Sequence, residues 1–238
     1  MMQPTLNFFS YIILFRFVCE SGYKFKLKID TFANNFNKTF MKRVLAYFFI
    51  VFVMASCSKK VTFTQSEIDI INNRDSSLIM PLFTVDDPAD TSVLRAVAAD
   101  LSETDIQSDL FKALKERMLA TVQDTTNEGV GIAAPQVGVS KRLVIVQRFD
   151  KPGEPFEFYP NIRIIEYSDE KQLGKEGCLS VPNRSEEVER SKRVVFTYLD
   201  ENSLKMVKDS AEGFTAVIFQ HEVDHLEGVI YIDRVKTK

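Results

Sequence analysis

The sequence predicts an α+β domain in which antiparallel or mixed sheets wrap around one buried helix near the C-terminus. Three observations predict it. Short β-branched runs cluster between residues 143 and 208, an amphipathic helical period precedes them at 103–124, and a strongly apolar helix follows at 211–227. Strands gathered between helices, instead of alternating with them, favour α+β over repeated βαβ units.

Residues 1–40 are rich in Phe, Asn and Lys without a sustained period. Lys42 and Arg43 follow Met41, and then VLAYFFIVFVMA runs from Val44 to Ala55 before Ser56 and Cys57. A basic start, an apolar stretch and a small-residue exit have the form of an export signal over 41–56. The apolar stretch of 12 residues falls short of the ~20 that cross a bilayer. A signal opens its chain, so Met41 is the expected start and 1–40 an upstream extension. The alternative is that Phe48–Val53 is a buried strand or helix. Met54-Ala55-Ser56-Cys57 resembles the lipobox of bacterial lipoproteins, with Met54 where leucine is commoner. The resemblance implies cleavage before Cys57, a lipid on its thiol, and a membrane-anchored protein of the cell envelope rather than the cytoplasm.

Residues 57–78 are polar and read as a tether, leaving 79–238 as the domain. The stretch 86–101 opens on a Pro-containing turn and becomes helix-like late. Ile106, Leu110, Leu114, Met118 and Val122 then recur every four positions, which marks one helix over 103–124. Leu143–Gln147 reads as a strand, and 157–160 and 162–167 as two more divided at Pro160-Asn161. Val194–Leu199, the turn 200–203 and the alternating 204–208 read as a hairpin. In 211–227, Phe214, Val217, Ile218, Phe219, Val223 and Leu226 occupy most faces, which predicts a buried helix, and Gly228 suits its C-terminal cap.

The bulk numbers exclude some classes. The chain has 238 residues, 45% hydrophobic and 26% charged, with net charge −3 and dispersed basic residues, so no nucleic-acid partner is expected. The cysteines Cys19, Cys57 and Cys178 are three and widely spaced, which is no disulfide framework. Lipidation of Cys57 would leave Cys178 as a lone thiol, and metal ligation would account for it.

The two histidines of the chain, His221 and His225, stand in His221-Glu222-Val223-Asp224-His225, an H-E-x-x-H pattern. Residues four apart share a helix face, so both imidazoles can reach one ion, with Glu222 beside them to handle a proton. A catalytic site of this kind takes a third protein ligand and keeps one position open. Glu227 falls on another face and Asp233 lies beyond the helix, so attention moves to Cys178 within Glu176-Gly177-Cys178-Leu179-Ser180. A thiolate suits zinc or ferrous iron, although a cysteine taken alone reads first as a small buried hydrophobe, and only the neighbouring motifs tip the balance to a ligand.

Gly129-Val130-Gly131-Ile132-Ala133-Ala134-Pro135-Gln136, EGCLS at 176–180 and QHEVDH at 220–225 stand in that order. Together they resemble the peptide deformylase family, over roughly residues 79–234. The resemblance implies a mixed α+β domain with sheets around the H-E-x-x-H helix, acting as a monomer. It implies that Cys178, His221 and His225 bind the metal, ferrous iron or zinc in its place. It implies that Glu222 is the general acid and base, and that Gln136 and the Leu179 N–H stabilise the oxyanion. Gly129, Gly131 and Gly177 would let an extended N-formyl peptide lie close to the backbone. Val130 and Val217 would line a pocket for a methionine-like side chain, a position that plain core packing also explains. Arg190 would pair with Asp224 and steady the metal helix, where a surface arginine is the alternative.

The family acts in the cytoplasm on formyl-methionine of nascent chains, whereas an export signal points across the membrane. Three readings follow: a deformylase of envelope formyl peptides, an envelope amidase with another substrate, or a silent binding lipoprotein. The complete set Gln136, Cys178, His221, Glu222 and His225 speaks against the last.

Overall fold

In the computed structural model, which describes residues 61–73, 78–127 and 129–236, the first described element is helix α1, Gln65–Asn72. The upstream extension 1–40, the export signal 41–56 and Cys57 lie outside the described residues. The hydroxyl of Thr64 accepts from Glu67 N, and the Glu67 carboxylate accepts from Thr64 N at 2.7 Å, a reciprocal capping box. Phe63 and Ile71 enter the core, and Arg117 Nη1 donates to the Ile70 and Ile71 carbonyls at 2.7 and 2.8 Å, meeting acceptors that a helix end leaves open.

These contacts correct the tether expected over 57–78, because residues 61–72 are built into the domain. A T-x-x-E cap and two apolar anchors outweigh the polar composition. Ile71→Ala should therefore cost about 2–5 kcal/mol, read as a lower urea midpoint with an unchanged slope. A true tether would show no shift.

Helix α2, Pro88–Leu94, starts directly at the proline turn rather than late. Asp87 accepts from Ala89 N at 2.7 Å, and proline suits a first helical position. The helix expected over 103–124 is two: α3, Glu103–Ile106, and α4, Asp109–Val122. Ser108 interrupts them by capping α4, its hydroxyl accepting from Phe111 N at 3.1 Å.

Strands β1 (Gly131–Ala133), β2 (Leu143–Gln147) and β3 (Phe156–Pro160) form one antiparallel sheet in that order. Along β2, Leu143 and Ile145 pack towards α4, while Val144 and Val146 pack on the opposite face. Alternation thus buries the strand on both sides. Strand β4 (Arg163–Tyr167) comes next, then β5 (Lys171–Cys178), β6 (Val181–Ser191), β7 (Arg193–Leu199) and β8 (Met206–Glu212). A second antiparallel sheet has the order β4-β7-β8, and β5-β6 stands apart as a hairpin. Neither strand of that hairpin was expected from the sequence.

Helix α5, Gly213–Leu226, starts two residues later than expected because Ala211 and Glu212 close β8. Its residues from Gln220 to Leu226 are all buried, and strands of all three sheets pack on it. This is the arrangement of sheets around a buried helix that the sequence predicted. Gly228 has φ +70°, and a Cβ there would lie 2.3 Å from the Arg95 carbonyl, so a glycine is required after the helix. Beneath α5, Tyr159, Phe196 and Phe219 meet edge-on or tilted at 4.2–5.5 Å. The buried Arg148 ties the two three-stranded sheets, donating to Tyr159 Oη and to Asp209 at 2.8 Å each and to Asp150 at 2.7 Å. Among the described residues no helix is long and apolar enough to cross a membrane.

Candidate metal centre

Helix α5 carries His221 and His225 one turn apart, with ring centroids 5.1 Å from each other. The tip of the β5-β6 hairpin brings Cys178 to them. Its Sγ lies 3.2 Å from His225 Nε2, and ligand atoms of all three residues lie within 4.8 Å of one another. One thiolate and two imidazoles are a donor set for zinc or ferrous iron, with bonds of about 2.0–2.3 Å. The residues present fit such an ion in a further respect. His221 has one nitrogen occupied by a carboxylate, and its ring also meets the Cys178 thiol. Its Nδ1 donates to Glu176 Oε2 at 2.9 Å, an arrangement that sets the tautomer. Tyr231 stacks on the His221 ring at 5.9 Å and 21°.

Glu176 was not singled out from the sequence, yet it organises the site. Burial would raise its carboxyl, but Arg190 and His221 hold it down at about 2. Arg190 is itself buried and donates to Glu176 at 2.8 and 3.0 Å and to Asp224 Oδ2 at 2.6 Å. The Arg190–Asp224 pair expected from the sequence is thus part of a larger group that also holds Glu176. Its signal was an acid two residues before the thiol, within the same motif. Glu176→Gln should weaken metal binding by about 10–100-fold, measured by chelator competition.

Glu222 lies on the same helix. Burial pushes its carboxyl up to about 7, against the pull of His221, and its Oε2 is buried without a hydrogen-bond partner among the described residues. His225 Nδ1 is buried and unpartnered in the same way, and burial first, then the charges of His221, Arg190 and Arg95, hold this imidazole neutral. A Cβ on Gly131 would lie 2.6 Å from Glu222 Oε1, so a glycine lets β1 press against the Glu222 carboxylate.

Gln136 sits in a 3-10 turn, Ala134–Val137, directly after β1. Its Oε1 accepts from Ala133 N at 2.8 Å, which aims Nε2 at the hairpin tip, 3.4 Å from Ser180 Oγ and 3.6 Å from Cys178 Sγ. Residues 83–85 clip both pieces together, with Phe83 N donating to the Gln136 carbonyl and Val85 N to the Ser180 carbonyl. Leu179 reaches across to Gly129, where a Cβ would stand 3.4 Å from its Cδ1. Val130 is half-buried against the core around α5, Val217 is half-buried on α5, and Gly177 is exposed on β5 opposite Ser185. The structure therefore gathers Gln136, Cys178, Leu179, His221, Glu222 and His225 around one point, with Gly129, Val130 and Gly131 along one side.

The sequence model of polypeptide deformylase matches residues 79–238. The chain belongs to that family. A peptide deformylase of Leptospira biflexa is 39% identical over 152 residues, covering 61% of this chain and 83% of the relative. One of Fusobacterium nucleatum is 40% identical over 143 residues, covering 60% and 78%. Among solved structures, a class I type b peptide deformylase of Acinetobacter baumannii with Met-Ala-Ser bound superposes with a TM-score of 0.58. It shares 37% identity and covers 66% of this chain and 98% of its own. The deformylase match starts at residue 79, so α1 lies outside it.

Proposed function

We propose that the chain hydrolyses the N-formyl group of N-formylmethionyl peptides at the Cys178, His221 and His225 centre. The observation that carries this reading is the buried, unpartnered Glu222 Oε2 beside the three ligands. Cys178, His221 and His225 would hold a ferrous ion, or zinc in its place, and the ion would supply Lewis acidity. Glu222 takes the proton of the attacking water and returns it to the departing amine. Its burial suits both duties, because a carboxyl near 7 can accept and release a proton around neutral pH. Gln136 Nε2 and the Leu179 N–H face the charge that develops on the formyl oxygen. Strands β1 and β5 each lie at the edge of their sheets, so an extended peptide can add beside them, with Gly129, Gly131 and Gly177 allowing close approach. The Acinetobacter relative with bound Met-Ala-Ser supports a peptide of this kind.

The test is turnover of formyl-Met-Ala-Ser by the ferrous-loaded protein, with formate and free amine appearing in equal amounts. No turnover would leave a silent binding protein, and turnover of other amides alone would point to the altered amidase.

We propose further that the chain works as a monomer, anchored in the bacterial envelope by a lipid on Cys57. The order basic pair, apolar stretch, Ala55-Ser56-Cys57 supports the anchor. Cys57→Ala should move the protein from the membrane fraction to the soluble one and remove the lipid mass. An unchanged distribution overturns the anchor.

A further inference from the structure

Strand β5 and helix α5 run side by side past the metal ligands, and their contacts step together. Gln172 Nε2 donates to the Gly213 carbonyl at 2.8 Å, Glu176 accepts from His221 at 2.9 Å, and Cys178 Sγ lies 3.2 Å from His225 Nε2. Every second residue of a strand shares a face, as does every fourth of a helix. The pairing of β5 with β6 is regular from Lys171 to Gly177, so Gly174 falls between Gln172 and Glu176 on the helix-facing side. Opposite it, between Gly213 and His221, stands Val217.

On that rung Gly174 offers no side chain, while its ladder partner Val188 is buried beside it on the same face. A Cβ built on Gly174 meets nothing within 4 Å. Val217 is half-buried although Thr215, Ala216, Ile218, Phe219 and Gln220 around it are buried, and it enters none of the apolar clusters among the described residues. Glycine in mid-strand weakens a strand, and Gly174 has no positive φ to require it. By register the open space at Gly174 faces the apolar Val217. It lies one rung, ~6.6 Å along the strand, from the Glu176–His221 pair. That is the reach of a side chain on the residue whose formyl group sits at the metal.

We infer that Gly174 keeps this pocket open for the first side chain of the peptide, so that the chain accepts first residues bulkier than methionine, phenylalanine among them. The inference rests on the deformylase reading above. An apolar pocket that lacks or gains a methylene shifts selectivity by about 10–200-fold, so filling the gap should be readily measured. Isoleucine at 174 has room for its Cβ and suits a strand.

The test uses the full-length, ferrous-loaded protein with formyl-Met-Ala-Ser and formyl-Phe-Ala-Ser. The wild type should turn over both with kcat/KM values within tenfold of each other. Gly174→Ile should lower the Phe-to-Met ratio at least tenfold, and calorimetric binding of Phe-Ala-Ser relative to Met-Ala-Ser should fall with it. A wild-type preference for methionine above tenfold, or a ratio that moves less than tenfold in the variant, overturns the pocket and leaves the deformylase reading intact. Failure to deformylate either peptide removes both.

Discussion

Replacing Glu222 with glutamine should lower kcat for formyl-Met-Ala-Ser by about 10²–10⁴-fold, the range that positioned acid–base groups contribute. The amide keeps the shape of the side chain and can neither take the proton from water nor hand it to the amine. Metal content should not change, because the three ligand atoms come from Cys178, His221 and His225. Stability should not fall either, since Glu222 Oε2 has no partner to lose and burial already opposes its charge. Kinetics, metal analysis and an unfolding curve on one variant separate these claims. A kcat within tenfold of wild type would remove Glu222 from the reaction.

Arg190→Ala should be the most destabilising change near the site. Arg190 is the common partner of two buried carboxylates. Asp224 keeps Arg234, which donates to it at 2.7 and 3.1 Å, but among the described residues Glu176 retains only His221 as a partner able to carry positive charge in the site. Removing one member of a buried ion group strands the rest and costs about 3–5 kcal/mol. In a domain of this size that is a Tm lower by about 6–20 °C, at roughly 2–4 °C per kcal/mol. Metal affinity should drop with it by about 10–100-fold, because Glu176 holds the His221 ring in place. A surface arginine would cost under about 0.5 kcal/mol, so calorimetry decides between the two.

The parts legible in the sequence were those written in rare residue types or strong periods. Two histidines four apart on an apolar helix, one thiol in E-G-C and a glutamine after a glycine-rich strand were enough to name the centre. The β5-β6 hairpin was not legible because Lys171–Cys178 and Val181–Ser191 are mostly charged or small. One face is solvated and the other holds Glu176 and Arg190, so inward positions carry ions where alternation would show apolar residues. Helix α1 was hidden by its polar composition, although Thr64 and Glu67 spelled its cap. The role of Glu176 could not be read because it depends on Arg190, 14 residues away across the hairpin.

The hairpin and helix are incommensurate. Two strand residues advance ~6.6 Å, whereas four helix residues advance ~6.0 Å. Over the three steps from Gln172–Gly213 to Cys178–His225 the strand gains about 2 Å on the helix. The register of β5 with β6 shifts between Gly177 and Cys178, where the mismatch is largest, and Asn183 in the shifted stretch has φ +58°. Such irregularities bend a strand and redirect the side chain. The shift falls directly before Cys178, whose sulfur lies 3.2 Å from His225 Nε2, so it offsets the drift where the strand hands its side chain to the helix.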